Sequence, residues 1–322
     1  MRRIILILLF ILSAQAFSLS GCAKNAEKIQ TENKFSIVCT IFPLYDWTRQ
    51  IIGDNAENMD LTLLMDNGAD LHNYQLSVGD IVKISNCDVF VYVGGESDEW
   101  AGDILNQAAN KNMVVLNLME ALGDRLKTEE IKEGMENPGE PGGDDYDEHI
   151  WLSLKNARIL CSAIAGALSS LDAGGAEKYR ANLAGYDKKL SELDLKYHAA
   201  IDSAPVRTLL FGDRFPFRYL TDDYGLDYYA AFAGCSAESE ASFKTVISLA
   251  EKTDELALKN IMVTESSDKK IAETIIRESK EKKQRILVLD AMQSLSANDA
   301  ANGAAYLSIM ESNLEILKEA LR

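Results

Sequence analysis

Two of the chain's three histidines, His72 and His149, fall where a cleft between two sheets would place ligands. His72 follows an apolar run at 61–64, and His149 stands at the exit of a long acidic segment. Three carboxylates follow apolar runs in the second half: Asp213 after 207–211, Glu265 after 261–263 and Asp290 after 286–289. Ligands of open parallel sheets collect beyond the carboxyl ends of the strands. Imidazole nitrogen together with carboxylate oxygen suits Zn²⁺, Mn²⁺ or Fe²⁺. A lone loop histidine is usually a surface residue, so the inference rests on convergence of the two sets. His198 lies near the end of a helical segment and reads as structural. The chain has no His-Glu-x-x-His, no Gly-x-Ser-x-Gly and no phosphate loop, and no histidine is left over as a general base. It therefore does not read as an enzyme.

Elements that could position these residues alternate along the chain. Apolar runs at 35–41, 61–64, 89–93 and 113–116 read as strands, with helices at 45–52, 77–84 and 98–109 between them. The same alternation returns at 207–211, 226–230, 261–263 and 286–289, ending in a helix over 304–321. Between the halves, Tyr179, Leu183, Tyr186, Leu190, Leu193 and Tyr197 recur every 4, 3, 4, 3 and 4 residues, one stripe of a single helix. Asp172, Gly174 and Gly175 supply start signals, and Pro205 stops it. The fold class is α/β: two lobes, each a mostly parallel sheet covered by helices, joined by a long rigid helix. The boundaries read as an N-terminal lobe over 35–171, the inter-lobe helix over 172–204 and a C-terminal lobe over 205–322.

The first 22 residues belong to export. Arg2 and Arg3 precede an apolar core from Ile4 to Leu12, and Leu19-Ser20-Gly21-Cys22 closes the segment. The cysteine after small residues resembles the lipobox of bacterial lipoproteins, which implies acylation at Cys22 and tethering to the outer face of a membrane. Residues 23–34 are polar and patternless, as a tether would be. The formal net charge of -17 makes the chain a poor nucleic-acid binder, because phosphate would be repelled.

Residues 127–148 carry Glu129, Glu130, Glu133, Glu136, Glu140, Asp144, Asp145, Asp147 and Glu148 among prolines and glycines, and read as an exposed, mobile acidic loop. Four cysteines remain after Cys22, at 39, 87, 161 and 235. Cys39 and Cys87 flank strands of one sheet and could meet. Cys161 and Cys235 would form the other pair or stay free, since four cysteines allow three pairings. No CxxC pair is present, which argues against a zinc knot or a thioredoxin-like role.

Gly68-Ala69-Asp70-Leu71-His72-Asn73-Tyr74 resembles the Gly…Asp-Pro-His-x-Tyr segment of the metal-binding lipoproteins of zinc and manganese ABC importers, the cluster A-I (cluster 9) solute-binding family. Asp147-Glu148-His149-Ile150-Trp151-Leu152 is similar to its Asp-Pro-His-x-Trp-Leu motif. The long helix, Val263-Thr264-Glu265-Ser266-Ser267 and Val288-Leu289-Asp290 match in order. The resemblance implies an extracytoplasmic, membrane-tethered monomer that takes a divalent metal between two lobes and delivers it to an ABC permease. The metal is zinc first, with Mn²⁺ or Fe²⁺ the alternatives. The implied ligands are His72, His149 and Asp290. The family's third ligand, His or Glu, falls on Gly212 here, so Asp213 is the expected stand-in and Glu265 a supporting carboxylate. The alternative is a receptor for a metal chelate or other organic ligand on the same architecture. It would use Trp47, Tyr74, Trp100 and Trp151 and a cleft widened at Gly212.

Overall fold

The computed structural model describes residues 34–136, 146–236 and 240–322. The export signal over 1–22, Cys22, the tether as far as Asn33 and the Pro-Gly centre of the acidic segment lie outside the described residues.

Two four-stranded parallel sheets form the frame. The first comprises β1 (Phe35–Cys39), β2 (Met59–Leu63), β3 (Val89–Tyr92) and β4 (Val114–Asn117), in the order β2-β1-β3-β4. The second comprises β5 (Thr208–Phe215), β6 (Asp227–Ala233), β7 (Asn260–Thr264) and β8 (Arg285–Leu289), in the order β6-β5-β7-β8. Both sheets thus reverse direction of growth after their first two strands, which opens a crevice at the carboxyl ends. Parallel pairing requires crossovers. The first sheet uses α1 (Phe42–Ile52), α2 (Val78–Asn86) and α3 (Trp100–Gln107), and α4 (Leu118–Leu122) follows its last strand. The second uses α7 (Arg218–Tyr224), α8 (Phe243–Glu255) and α9 (Lys270–Glu278), and α10 (Ala297–Ala301) and α11 (Tyr306–Ala320) follow its last strand.

Local chemistry explains several of these starts. Ser77 caps α2 in a reciprocal box with Asp80, and Ser296 does the same for α10 with Asp299. Pro43 enters α1 in its first turn, where a missing N–H costs nothing.

The halves are bridged by α5 (Leu154–Leu171) and α6 (Ala176–Asp202). With 27 residues, α6 is about 40 Å long. Its stripe of Tyr179, Tyr186, Leu190, Leu193 and Tyr197 is buried as the periodicity requires, and Leu183 packs at its edge. Asp172 ends α5 instead of starting α6, and its carboxylate accepts the Tyr179 hydroxyl at 2.7 Å. Each sheet has a private cluster on one face, around Phe90 in the first and Phe232 in the second. The largest apolar cluster is shared, running from Ile37 and Val91 through α5 and α6 to Phe211 and Leu289. A core common to both sheets resists large hinge motion, because opening would expose apolar surface along the whole seam.

Cys39, Cys87, Cys161 and Cys235 are all free thiols, so neither disulfide pairing raised from the sequence is present among the described residues. The described ends of the acidic segment are docked, contrary to a wholly exposed loop. Thr128 and Tyr146 form an antiparallel bridge, Lys127 pairs with Asp222 at 2.7 Å, Lys132 pairs with Asp227, and Asp147 and Glu148 are buried.

Candidate metal centre

His72 stands on a single 3₁₀ turn, Leu71–Asn73, after β2. Asp70 starts that turn by accepting the His72 backbone N–H at 3.0 Å. The imidazole Nδ1 lies 2.8 Å from Ser97 Oγ, which comes from the turn after β3, and this leaves Nε2 free to face the cleft. Glu148 lies close by: one oxygen accepts the Ser97 N–H at 2.8 Å, and the other is 3.7 Å from His72 Nδ1 and buried without a hydrogen-bond partner.

His149 is completely buried, just before the 3₁₀ turn Ile150–Leu152 that leads into α5. Asp147 Oδ1 accepts both its backbone N–H (2.8 Å) and its ring Nδ1–H (3.0 Å). A carboxylate on the outer nitrogen fixes the tautomer and makes the other nitrogen a better donor to a metal. Tyr219 of the second lobe donates to the Asp147 carbonyl at 2.9 Å, and Trp151 donates to the Ala291 carbonyl at 2.8 Å. The His149 segment is therefore gripped by the second lobe.

The two Nε2 atoms are 3.1 Å apart. Zinc–nitrogen bonds of about 2.0–2.1 Å at a tetrahedral angle put two ligand nitrogens about 3.3 Å apart. The imidazoles thus stand close to the spacing one ion would impose. Burial first, then the neighbouring His149, holds the His72 pKa down at about 3. Burial pulls His149 down as well, but the Asp147 carboxylate, with Glu148 and Glu129 behind it, outweighs that and raises it. A cation between the rings would be met by both Nε2 lone pairs. Gln293, from the turn after β8, reaches His149 Nε2 at 2.8 Å.

The expected carboxylates make hydrogen bonds of their own. Residue 213 belongs to β5, which continues through an irregularity between Phe211 and Arg214 to Phe215. Asp213 Oδ2 accepts the backbone N–H (3.0 Å) and the hydroxyl (2.8 Å) of Thr264, and Oδ1 accepts the Arg214 N–H at 2.8 Å. Its oxygens tie β5 to β7. Asp290 Oδ1 accepts the Met292 N–H at 2.8 Å, and Glu265 accepts the backbone N–H groups of Ala291 (2.8 Å) and Gln293 (3.0 Å). These two acids shape the turn that carries Gln293. Among the described residues, the metal-competent atoms within 4.8 Å of one another belong to His72, His149 and Cys235.

Cys235, Gln293 and Ser97 were missed from the sequence. Cys235 directly follows β6 and Gly234, but the apolar run reads as ending at Ala230, so the strand-end rule stopped short. Among the described residues, the aromatics expected of a chelate receptor are engaged elsewhere. Trp47 and Trp151 are fully buried, Tyr74 is bonded to Asp80 at 2.9 Å, and Trp100 to the Ser97 carbonyl at 3.0 Å. Arg214 is paired with Asp70 at 2.7 Å. His198 packs edge-on to Tyr224 with ring centres 4.9 Å apart, as a structural residue.

Glu265 and Asp290 make a measurable electrostatic signature. Burial and then the Asp290 charge push Glu265 up to about 7, and burial raises Asp290. An acid whose folded pKa is raised contributes stability below its unfolded pKa and loses it as pH climbs through the folded value. Between about pH 5 and about pH 8, the Tm of metal-free Glu265→Gln should therefore rise relative to wild type. A difference that stays constant across that range in a pH series of melting curves would contradict this account.

A family model described as ZnuA, zinc-uptake complex component A periplasmic, matches residues 37–320. The zinc-binding lipoprotein AdcA of Streptococcus pneumoniae is 31% identical over 314 residues, covering 97% of this chain and 60% of that protein. The high-affinity zinc uptake system protein ZnuA of Bacillus subtilis is 26% identical, covering 97% of both. The crystal structure of the Zn(II)-bound ZnuA-like domain of S. pneumoniae AdcA superposes with a TM-score of 0.71 at 29% identity, covering 89% of this chain and 99% of that one. The chain spans 60% of the length of the S. pneumoniae AdcA protein and 57% of the zinc-binding protein AdcA of Streptococcus pyogenes, to which it is 28% identical over 303 residues.

Proposed function

Because the chain belongs to the family of periplasmic A components of zinc-uptake complexes, we propose that it captures a single Zn²⁺ ion in the cleft and hands it to an ABC permease. The observation that carries this is the pair of inward Nε2 atoms 3.1 Å apart, each ring held from behind by Ser97 or Asp147. Zinc-bound relatives agree with it. Two neutral imidazoles suit zinc better than manganese, which takes more oxygen ligands. Capture makes and breaks no bond in a substrate molecule, so no catalysis is involved. The protein would act as a monomer, anchored through an acylated Cys22 to the outer face of the membrane.

Release need not separate the lobes. Arg214 spans the cleft mouth, donating to Asp70 Oδ2 at 2.7 Å and to the Ser236 carbonyl at 3.4 Å. Permease docking that draws Arg214 away would free the short turn carrying His72, while the shared core stays closed. In this reading Asp290 is the carboxylate available to approach the ion from the second lobe, and Asp213 is a tie between strands.

The test is calorimetric titration of chelator-stripped protein with zinc, for wild type, Asp290→Ala and Asp213→Ala. Wild type should bind one zinc per chain. Asp290→Ala should weaken binding by about tenfold or more, at least the loss that removing a group that only orients a ligand brings. Asp213→Ala should lower the melting temperature with little change in affinity. A wild-type protein that takes up no zinc would sink the proposal.

A further inference from the structure

We propose that the Cys235 thiolate is a ligand of the captured metal, adding one sulfur to the two nitrogens of His72 and His149 and leaving the fourth position to Asp290. This rests on the metal-capture reading above and names the group that stands in for the ligand missing at Gly212.

Position comes first. A ring nitrogen of each histidine and the Cys235 Sγ lie within 4.8 Å of one another. With zinc–sulfur at about 2.3 Å and zinc–nitrogen at about 2.0–2.1 Å, tetrahedral binding puts sulfur about 3.6 Å from each nitrogen. The inward shift needed is roughly an ångström at most. The chain is built to bring the sulfur there. A Cβ on Gly234 would stand 3.0 Å from His149 Cε1 and 2.8 Å from the Phe215 carbonyl oxygen, so only glycine lets the backbone pass so close to the ring. The next residue, Cys235, is then delivered beside the imidazoles.

The turn is held from both sides. Glu129 accepts the Cys235 N–H at 2.9 Å, and the Arg214 guanidinium that pairs with Asp70 also donates to the Ser236 carbonyl. One arginine thereby links the turn that carries Cys235 to the turn that carries His72. The thiol is unbridged and half-buried. Asp147, Glu129 and Glu148 all bear on it electrostatically, and such a setting penalises a bare thiolate but attracts a divalent cation. On binding, the sulfur–hydrogen bond breaks, the proton leaves to solvent and a metal–sulfur bond forms, with no change of oxidation state. A thiolate in the set discriminates against manganese, a harder ion suited to oxygen ligands.

The experiment loads the full-length, detergent-solubilised chain with Co²⁺ in place of zinc and records its absorption spectrum. Wild type should show tetrahedral ligand-field bands together with an intense near-ultraviolet sulfur-to-cobalt transition. Cys235→Ser should lose that transition and bind zinc more weakly by about 10–100-fold. Cys235→His should recover affinity without regaining it. Ligand-field bands without the sulfur transition in wild type, or a transition that survives Cys235→Ser, would overturn the thiolate assignment and leave metal capture standing. Absence of both cobalt and zinc uptake would overturn the two together. The wild-type spectrum decides the matter even if a variant does not fold.

Discussion

His149→Ala should abolish zinc binding in a calorimetric titration, a loss of about a hundredfold or more. Removing a group that merely orients a ligand already costs 10–100-fold. Removing this imidazole takes a coordinating nitrogen and, in addition, leaves the buried Asp147 carboxylate without its ring partner. The same deletion opens a gap against Trp151, whose ring centre lies 5.2 Å from that of His149. Misfolding must therefore be separated from lost coordination. His72→Ala supplies the separation, because His72 stands on a short turn at the cleft and is not part of the apolar core. It should fold normally and fail to bind. In the wild type, zinc at a hundredfold excess over Kd should add about 2.7 kcal/mol to stability. Neither variant should gain that increment in a melting curve. A His72→Ala protein that is stabilised by zinc as wild type is would remove the imidazole pair from the centre of the mechanism.

Much of this was legible in the sequence, for identifiable physical reasons. Strands of parallel sheets covered by helices are short apolar runs, and all eight strands fall on such runs. The long helix declared itself because a 3.6-residue period must place Tyr179, Tyr186, Leu190, Leu193 and Tyr197 on one buried stripe. His72 and His149 were legible because few histidines exist to choose among and both follow elements of the first sheet. The local bonding of the second-lobe residues was not. Asp213 looked like a loop residue because the apolar run ends at Phe211, yet β5 continues through Gly212 and Asp213 in spite of its polar residues. Pairing with β6 and the bonds to Thr264 hold that extension, and neither leaves a trace in local composition. Cys235 was hidden by the converse error. A cysteine in an exported chain reads as half of a disulfide, and its nearness to two imidazoles comes from loops over 70 residues away in sequence.

Gly212→His, which restores the residue type expected of the family at that position, should destabilise the protein without strengthening zinc binding. The direction of the missing side chain decides this. A Cβ built on Gly212 would lie 2.6 Å from Ala272 Cα and 2.8 Å from Ala272 N and Cβ, in the first turn of α9. Those are backbone and near-backbone atoms of a packed helix and cannot swing aside as the tip of a long side chain would. Ala272 is itself fully buried against Leu210, Val263 and Ile275 in the second sheet's private core. Accommodating even a methyl group requires α9 to move off the sheet, and overpacking of this kind typically costs about 1–3 kcal/mol. An imidazole is larger and would add an unsatisfied polar group to the same place. Gly212→Ala should therefore lower the melting temperature by several degrees, and Gly212→His by more. Zinc affinity measured below the transition should not rise in either, because position 212 points at α9 and away from His72 and His149. If Gly212→His instead bound zinc more tightly and melted no lower, the backbone of β5 would have to turn position 212 into the cleft. The family's third ligand would then be recoverable by a single substitution, and Cys235 would not be needed to replace it.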